Sequence, residues 1–340
     1  MLRAVRFDVG ILASQPLPEV VRQVQLAEAL GYDTAWITDT HLVCRELWVT
    51  LAACAVATSR IRLGPGVTVP HTRHASVTAS ALATLQELAP GRVVCGVGTG
   101  GSAAETMGLT IRQTARVATL DAVTTTLKRL LAAQDVRFES GREGRLAWLR
   151  QPCAVPLYVA GSGPRMLAAA GRLGDGAIMY ASTSPPILRA GLQCVAAGAR
   201  ESGRTLESLD IALWSPMSIA ADGRLARDHA RGRVASALRH PLPVPLSPED
   251  QAVVDRLRAG YDSFEHATAG PKHRDLVPDR FVDLFALAGA PDEVAAQVRR
   301  VMAVTQIQRI IILPQVPDRA LLTREGILQL FAEEVMARVA

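Results

Sequence analysis

The chain has 340 residues, 49% hydrophobic, 20% charged and 4% aromatic, and its 37 Lys+Arg against 32 Asp+Glu leave a net charge of +5. An apolar fraction this high with charge this balanced excludes an intrinsically disordered chain and allows a large buried core. Lysine occurs only at Lys128 and Lys272, and the arginines are scattered among acidic residues rather than clustered with aromatics, which argues against a nucleic-acid surface.

Short apolar runs alternate with amphipathic segments along the chain. Residues 5–12 (VRFDVGIL) read as a strand and 17–30 as a helix stopped by Gly31. Residues 34–38, 61–67 and 92–97 read as further strands, separated by helices over 47–58 and 76–88, with another helix over 115–133. The alternation continues with strands at 157–160, 177–180 and 211–219 and helices at 166–173 and 186–201. It closes with a helix at 292–304, a strand at 309–313 (RIIIL) and a helix at 323–339. Strands written as continuous Val/Ile/Leu runs are buried on both faces, and eight βα units predict an α/β fold, a (β/α)8 TIM barrel over residues 1–340. A doubly wound open sheet is the alternative, but no GxGxxG follows the first strand. Two stretches break the rhythm: residues 135–148, read as a hairpin excursion after the fourth unit, and 222–281, a helical and Pro-rich insert after the seventh strand. Val, Ile, Leu and Ala are expected to build the barrel core.

Cys44, Cys54, Cys95, Cys153 and Cys194 form no CxxC or zinc-like spacing and mostly lie among apolar neighbours, so buried free thiols in a reducing cytoplasm are expected. No run of ~18 apolar residues predicts a membrane span, and the N-terminal apolar run is short for a signal peptide. His229, His240, His266 and His273 make no metal-binding pattern, and neither HExxH nor GxSxG occurs, so no metal is expected.

A barrel of this kind places its chemistry just beyond the strand C-termini. Asp39 and His41 follow the second strand; they suit holding or protonating a small-molecule substrate, or Asp39 caps the next helix. The turns Gly98-Thr99-Gly100-Gly101 and Gly161-Ser162-Gly163-Pro164-Arg165 let a phosphate or flat ring approach the backbone, and both also suit ordinary βα turns. His71, Arg73 and His74 make a polar rim or a solvated first helical turn.

The segment 31–109, with WITD, VTLA, LGPGVTVPHTR, TASALATLQEL and GRVVCGVGTG, resembles the luciferase-like superfamily of flavin and deazaflavin oxidoreductases. Within it, the similarity is greatest to methylenetetrahydromethanopterin reductases that use coenzyme F420. PLYVAGSGPRMLAAAGRLGDGAIMY resembles the family's phosphate loop and helix, and FALAGAPDEVAAQVRRV with RIIILP its closing units. The resemblance implies a TIM barrel with F420 at its C-terminal face, or alternatively FMN, and commonly a homodimer through helices near strands two to four. It implies a non-prolyl cis bond at Gly66–Val67, with Asp39, Thr68, Gly98, Thr99, Gly100, Ala160, Gly161, Ser162, Gly163, Pro164 and Arg165 around the cofactor. Arg45, Arg73 and Arg165 are candidates for its acidic tail. The family's Asp-His pair reads Asp39-Thr40-His41 here, and the acidic position after GTG is Gly101. The departure leaves His41 and Glu46, with Asp39, as the catalytic candidates.

Overall fold

Aliphatic and β-branched runs of three to ten residues make the strands, and the glycines and polar turns between them set the loops. The computed structural model describes residues 5–109, 115–180, 182–265, 272–316 and 323–339; His266 lies outside them. The strands are β1 (Arg6–Ile11), β2 (Thr34–Ile37), β3 (Arg62–Pro65), β4 (Cys95–Val97), β5 (Val136–Arg137), β6 (Glu143–Gly144), β7 (Leu157–Gly161), β8 (Gly176–Met179), β9 (Asp210–Ile219), β10 (Leu287–Gly289) and β11 (Arg309–Pro314). Eight of these pair in the order β3-β2-β1-β11-β9-β8-β7-β4, every pairing parallel. Bridges Leu63–Val93 and Thr68–Val97 join the two ends, so the sheet closes on itself as the expected barrel.

Helices α1 (Leu17–Ala29), α2 (Leu47–Ala57), α3 (Ala75–Leu88), α4 (Gly101–Thr106), α5 (Ala115–Leu131), α6 (Pro164–Leu173) and α7 (Pro185–Glu201) follow the first six barrel strands. The excursion after the fourth unit is the antiparallel pair β5–β6. The insert after β9 contains α8 (Gly223–Leu238), α9 (Pro248–Ala259) and α10 (Asp279–Phe285), which share their own cluster around Val234, Leu257, Phe281 and Phe285. Residues 240–247 between α8 and α9 are irregular, as their prolines require. After α11 (Pro291–Met302) and β11, the last segment is α12 (Arg324–Phe331), a π-helical turn over Ala332–Met336, and α13 (Ala337–Val339) rather than one unbroken helix. The sequence pattern also missed α4 and β10. Both are short, and β10 exists only because Leu287 and Gly289 meet Met217 and Ile219 at the end of β9.

The layer between strands and helices is aliphatic, as expected. The barrel interior is not: Trp36, Tyr158 and Trp214 fill it together with Val94, Ile178, Ala212, Ile311 and Leu313, and Trp36 meets Tyr158 edge-on at 5.3 Å. A Cβ on Gly10 or Gly66 would lie 2.9 Å from the Trp214 ring, so these two glycines make room for the indole. Three of the fourteen aromatics therefore sit inside the barrel.

Candidate functional site

A cavity of about 420 Å³ opens at the C-terminal ends of the strands. Its wall includes Asp39, Gly66, Val67, Gly98, Thr99, Gly100, Ala160, Gly161, Ser162, Gly163, Pro164 and Arg165, so twelve of the residues selected from sequence meet in one place. The Gly66–Val67 peptide is cis. Trp214, Ile178 and Leu313 form an apolar base, and Arg233, Ser236, Arg239, His240 and Pro241 of the insert form the opposite wall.

Asp39 is buried where the chain leaves β2. Its Oδ2 accepts from Arg73 Nη1 at 2.6 Å and from Thr68 Oγ1 at 3.3 Å, while its buried Oδ1 has no partner. Thr68 thus serves the site from behind Asp39 instead of facing the cavity. Burial raises the Asp39 carboxyl above the usual carboxylate range, outweighing the opposing Arg73 charge. Arg73 also pairs with Glu46 Oε1 at 2.7 Å.

His41 and Glu46 are not in the cavity wall. Thr40 O accepts from the amides of Val43 and Cys44, both at 2.8 Å, and this tight turn carries the chain away from the strand end. Glu46 is exposed and caps α2 by accepting from Val49 N at 2.9 Å. The structure therefore does not carry the reading of these two residues as acid–base groups. Of the three arginines considered for an anionic tail, Arg165 lines the cavity, Arg73 is taken up by the two carboxylates, and Arg45 bonds Ser14 O.

The two glycine turns differ in their physical demands. Gly100 has φ +57°, and a Cβ there would sit 2.1 Å from Val69 Cγ2. Gly101 has no such φ, and its Cβ would meet only ordinary contacts, 3.5 Å from Arg239 Nη2 and 3.6 Å from His240 Cε1. Gly100→Ala is expected to destabilise by about 3 kcal/mol, combining left-handed strain with overpacking, while Gly101→Ala shifts stability by less than about 1 kcal/mol. Thermal unfolding of the two variants checks the contrast.

Gly161 and Gly163 precede α6. The helix starts with Pro164, has no side-chain cap and no acidic residue in its first turn, so its N-terminal amides and positive dipole end face the cavity. A Cβ on Gly163 would sit 2.7 Å from Pro241 Cβ, so the insert seats directly on this turn.

His240 was the least expected member of the site, since the histidine spacing in the insert carries no signal. Its ring lies 5.8 Å from that of Tyr180, whose hydroxyl bonds Arg233 O at 3.4 Å. Desolvation, then Arg239, Arg116 and Arg258, push the His240 pKa down to about 3, so the imidazole is neutral near pH 7. Arg239 is fixed by Glu105 Oε2 at 2.6 Å, Ser102 Oγ at 2.7 Å and the Tyr261 ring at 4.4 Å. The Pro-rich composition marked the insert as a pocket wall, but which of its residues reach the cavity depends on packing across the barrel mouth. Among the described residues, no group of three or more His, Cys, Asp or Glu is placed to hold a metal, and no helix is long and apolar enough to cross a membrane.

A closed parallel barrel with a cis peptide at the end of β3 and a glycine turn before α6 defines a class. The sequence model of the luciferase-like monooxygenase family matches residues 1–306, and the chain belongs to that family. Among its relatives, it is 30% identical over 307 residues to 5,10-methylenetetrahydromethanopterin reductase of Methanolobus tindarius, covering 88% of this chain and 92% of the relative. It is 34% identical over 294 residues to the F420-dependent glucose-6-phosphate dehydrogenase of Kineococcus radiotolerans, covering 80% of each. The structure of the coenzyme F420-dependent tetrahydromethanopterin reductase of Methanopyrus kandleri superposes with a TM-score of 0.79 at 24% identity, covering 99% of this chain and 100% of that one.

Proposed function

We propose that this protein is an F420-dependent oxidoreductase that passes a hydride between the deazaflavin and a small organic substrate, acting as a reductase. The observation that carries the reading is the cradle: two glycine turns lining one cavity, an uncapped helix N-terminus, and a buried Asp39 oxygen without a partner. The F420 dependence of the Kineococcus radiotolerans relative, which matches four fifths of the chain, supports the cofactor. When bound, the deazaflavin supplies a two-electron hydride centre and the protein supplies orientation and a dry pocket.

In this reading the Gly98–Gly100 backbone lies against the flat ring, and the Ser162 hydroxyl with the α6 amides holds the cofactor phosphate. Asp39 Oδ1 receives a heterocyclic N–H, its carboxylate kept in place by Arg73 and Thr68. Trp214, Ile178 and Leu313 keep water from the base of the pocket. The neutral His240 ring offers an N–H to a polar atom of the substrate, a role that needs no charge on the imidazole. Titration of the purified protein with F420 and FMN, read by fluorescence, is expected to give F420 an affinity at least about tenfold higher. Tight FMN binding without F420 binding overturns the cofactor in favour of an FMN-dependent monooxygenase.

We read residues 1–340 as one barrel unit, with 222–281 as a wall of its pocket, in a cytoplasmic protein whose five cysteines are free thiols. We further read it as a homodimer through α2 and α3. Helix α2 (LWVTLAACAVA) has no charged residue, a composition typical of helices covered on all sides, yet Val49 is 61% exposed and Val56 71%. Val77 on neighbouring α3 is 55% exposed and extends the patch. Val56→Glu is expected to convert the dimer to a monomer in light scattering coupled to size exclusion. A wild-type chain that already runs as a monomer removes the dimer reading.

A further inference from the structure

The cavity wall also carries polar groups that the cofactor cradle described above leaves unassigned. Outside the glycine turns, Arg116, Arg233 and Arg239 also line the cavity, whereas the acidic residue in its wall, Asp39, is already ion-paired with Arg73. Glu105, the carboxylate beside Arg239, stays outside the wall and half-exposed. The Nε atoms of both Arg116 and Arg239 are shielded from solvent without a hydrogen-bond acceptor. A guanidinium N–H in that position is costly unless an acceptor arrives.

Gly101 makes this part of the wall accessible. Neither φ nor a clash demands glycine there, in contrast to Gly100, and the position its Cβ would take lies 3.5 Å from Arg239 Nη2. Arg239 Nη1 and Nη2 are taken by Glu105 and Ser102, and a carboxylate on residue 101 would add a second acceptor from within the chain; glycine leaves the shielded Nε without one. We propose that the substrate carries an anionic group, a carboxylate or phosphate, which enters over Gly101 and is received by Arg239 and Arg116. This rests on the reading that the cofactor occupies the Gly98–Gly100 and Gly161–Gly163 turns of the same cavity. The neutral His240 ring beside Gly101, 3.6 Å from that Cβ position, adds no charge of its own, so the arginines set the sign of the ligand.

The shared chemistry of a substrate anion and of the cofactor's own acidic tail is separated by titrating F420-loaded protein with inorganic phosphate at constant ionic strength. The expected result is saturable phosphate binding that leaves F420 bound. Arg116→Gln and Gly101→Glu are each expected to weaken it by about tenfold or more, with native melting behaviour retained. Absence of saturable binding, or equal binding in both variants, overturns the proposal. Displacement of F420 by phosphate also overturns it, because the arginines then serve the cofactor tail. If the wild-type protein binds no F420, the cofactor reading fails on its own. Phosphate titration of the cofactor-free Gly101→Glu and wild-type proteins still reports the arginine site separately.

Discussion

Arg309→Met is expected to destabilise the barrel by about 3–5 kcal/mol, the usual cost of removing one partner from a buried ion network. Arg309 is fully buried at the start of β11, at the end of the barrel opposite the cavity. Its Nη1 donates to both oxygens of Asp8, at 2.8 and 3.1 Å, and to Asp33, while its Nε donates to Asp210 Oδ2 at 2.9 Å. Trp36 Nε1 donates to Asp8 at 2.9 Å and Tyr158 OH to Asp210 at 2.8 Å. Removing the cation leaves three carboxylates around one site, two of them held ionised by it. Chemical denaturation at pH 7 measures the loss; a change under about 1 kcal/mol would mean the network is replaceable by apolar packing.

The same network makes stability depend on pH in a defined direction. Burial pushes Asp8 up to about 7 despite Arg309, so the folded protein holds a proton there that the unfolded chain releases near the ordinary carboxylate value. The raised pKa means this contribution is full in acid and is lost as pH rises through about 7. Asp33 and Asp210 run the other way: burial opposes their ionisation, but Arg309 prevails and lowers both, so their contribution is present above the ordinary range and lost in acid. Asp8→Asn is therefore expected to match wild type below about pH 4 and to lose less stability between about pH 4 and 7, by up to about 1.4 kcal/mol per unit. Parallel denaturation curves for the two proteins over that range would discard the assignment of the proton to Asp8.

The sequence carried the barrel because each parallel strand is buried on both faces and reads as an unbroken apolar run, as in RIIIL. It also carried the glycine-turn side of the cavity, because glycine turns at strand ends are local features. What it did not carry depends on pairings between distant segments. Asp8 and Arg309 are 301 residues apart and look like polar interruptions of apolar strands until the barrel closes. His240 looks like one more histidine in a Pro-rich loop until the insert packs against Gly101 and Tyr180. His41 and Glu46 differ for the opposite reason: proximity in sequence to Asp39 suggested a shared cavity, but both lie outside its wall, and Glu46 reaches Asp39 only through their common partner Arg73. Gly100 and Gly101 are indistinguishable as letters, and only the position of Val69 shows that one is demanded by the backbone and the other is not.

Gly163→Val is expected to weaken F420 binding by about 30- to 150-fold, or roughly 2–3 kcal/mol, the larger part of the usual overpacking range. The backbone of Gly163 is extended (φ −88°, ψ 166°), so valine meets no conformational strain there. The effect comes from space alone. A Cβ would stand 2.7 Å from Pro241 Cβ, and a proline ring has no rotamer through which to withdraw. Either residues 240–241 move off the turn, opening the pocket to water, or the turn moves and misaims the α6 amides. Both alternatives act on the turn proposed to hold the cofactor phosphate, so FMN binding is expected to fall by a similar factor. A second substitution separates the two movements. Pro241→Gly in the Gly163→Val background removes the clashing ring and restores affinity if the insert was the part displaced. Unchanged weak binding in the double variant assigns the loss to the turn, and wild-type affinity in Gly163→Val itself would remove the α6 N-terminus from the cofactor site.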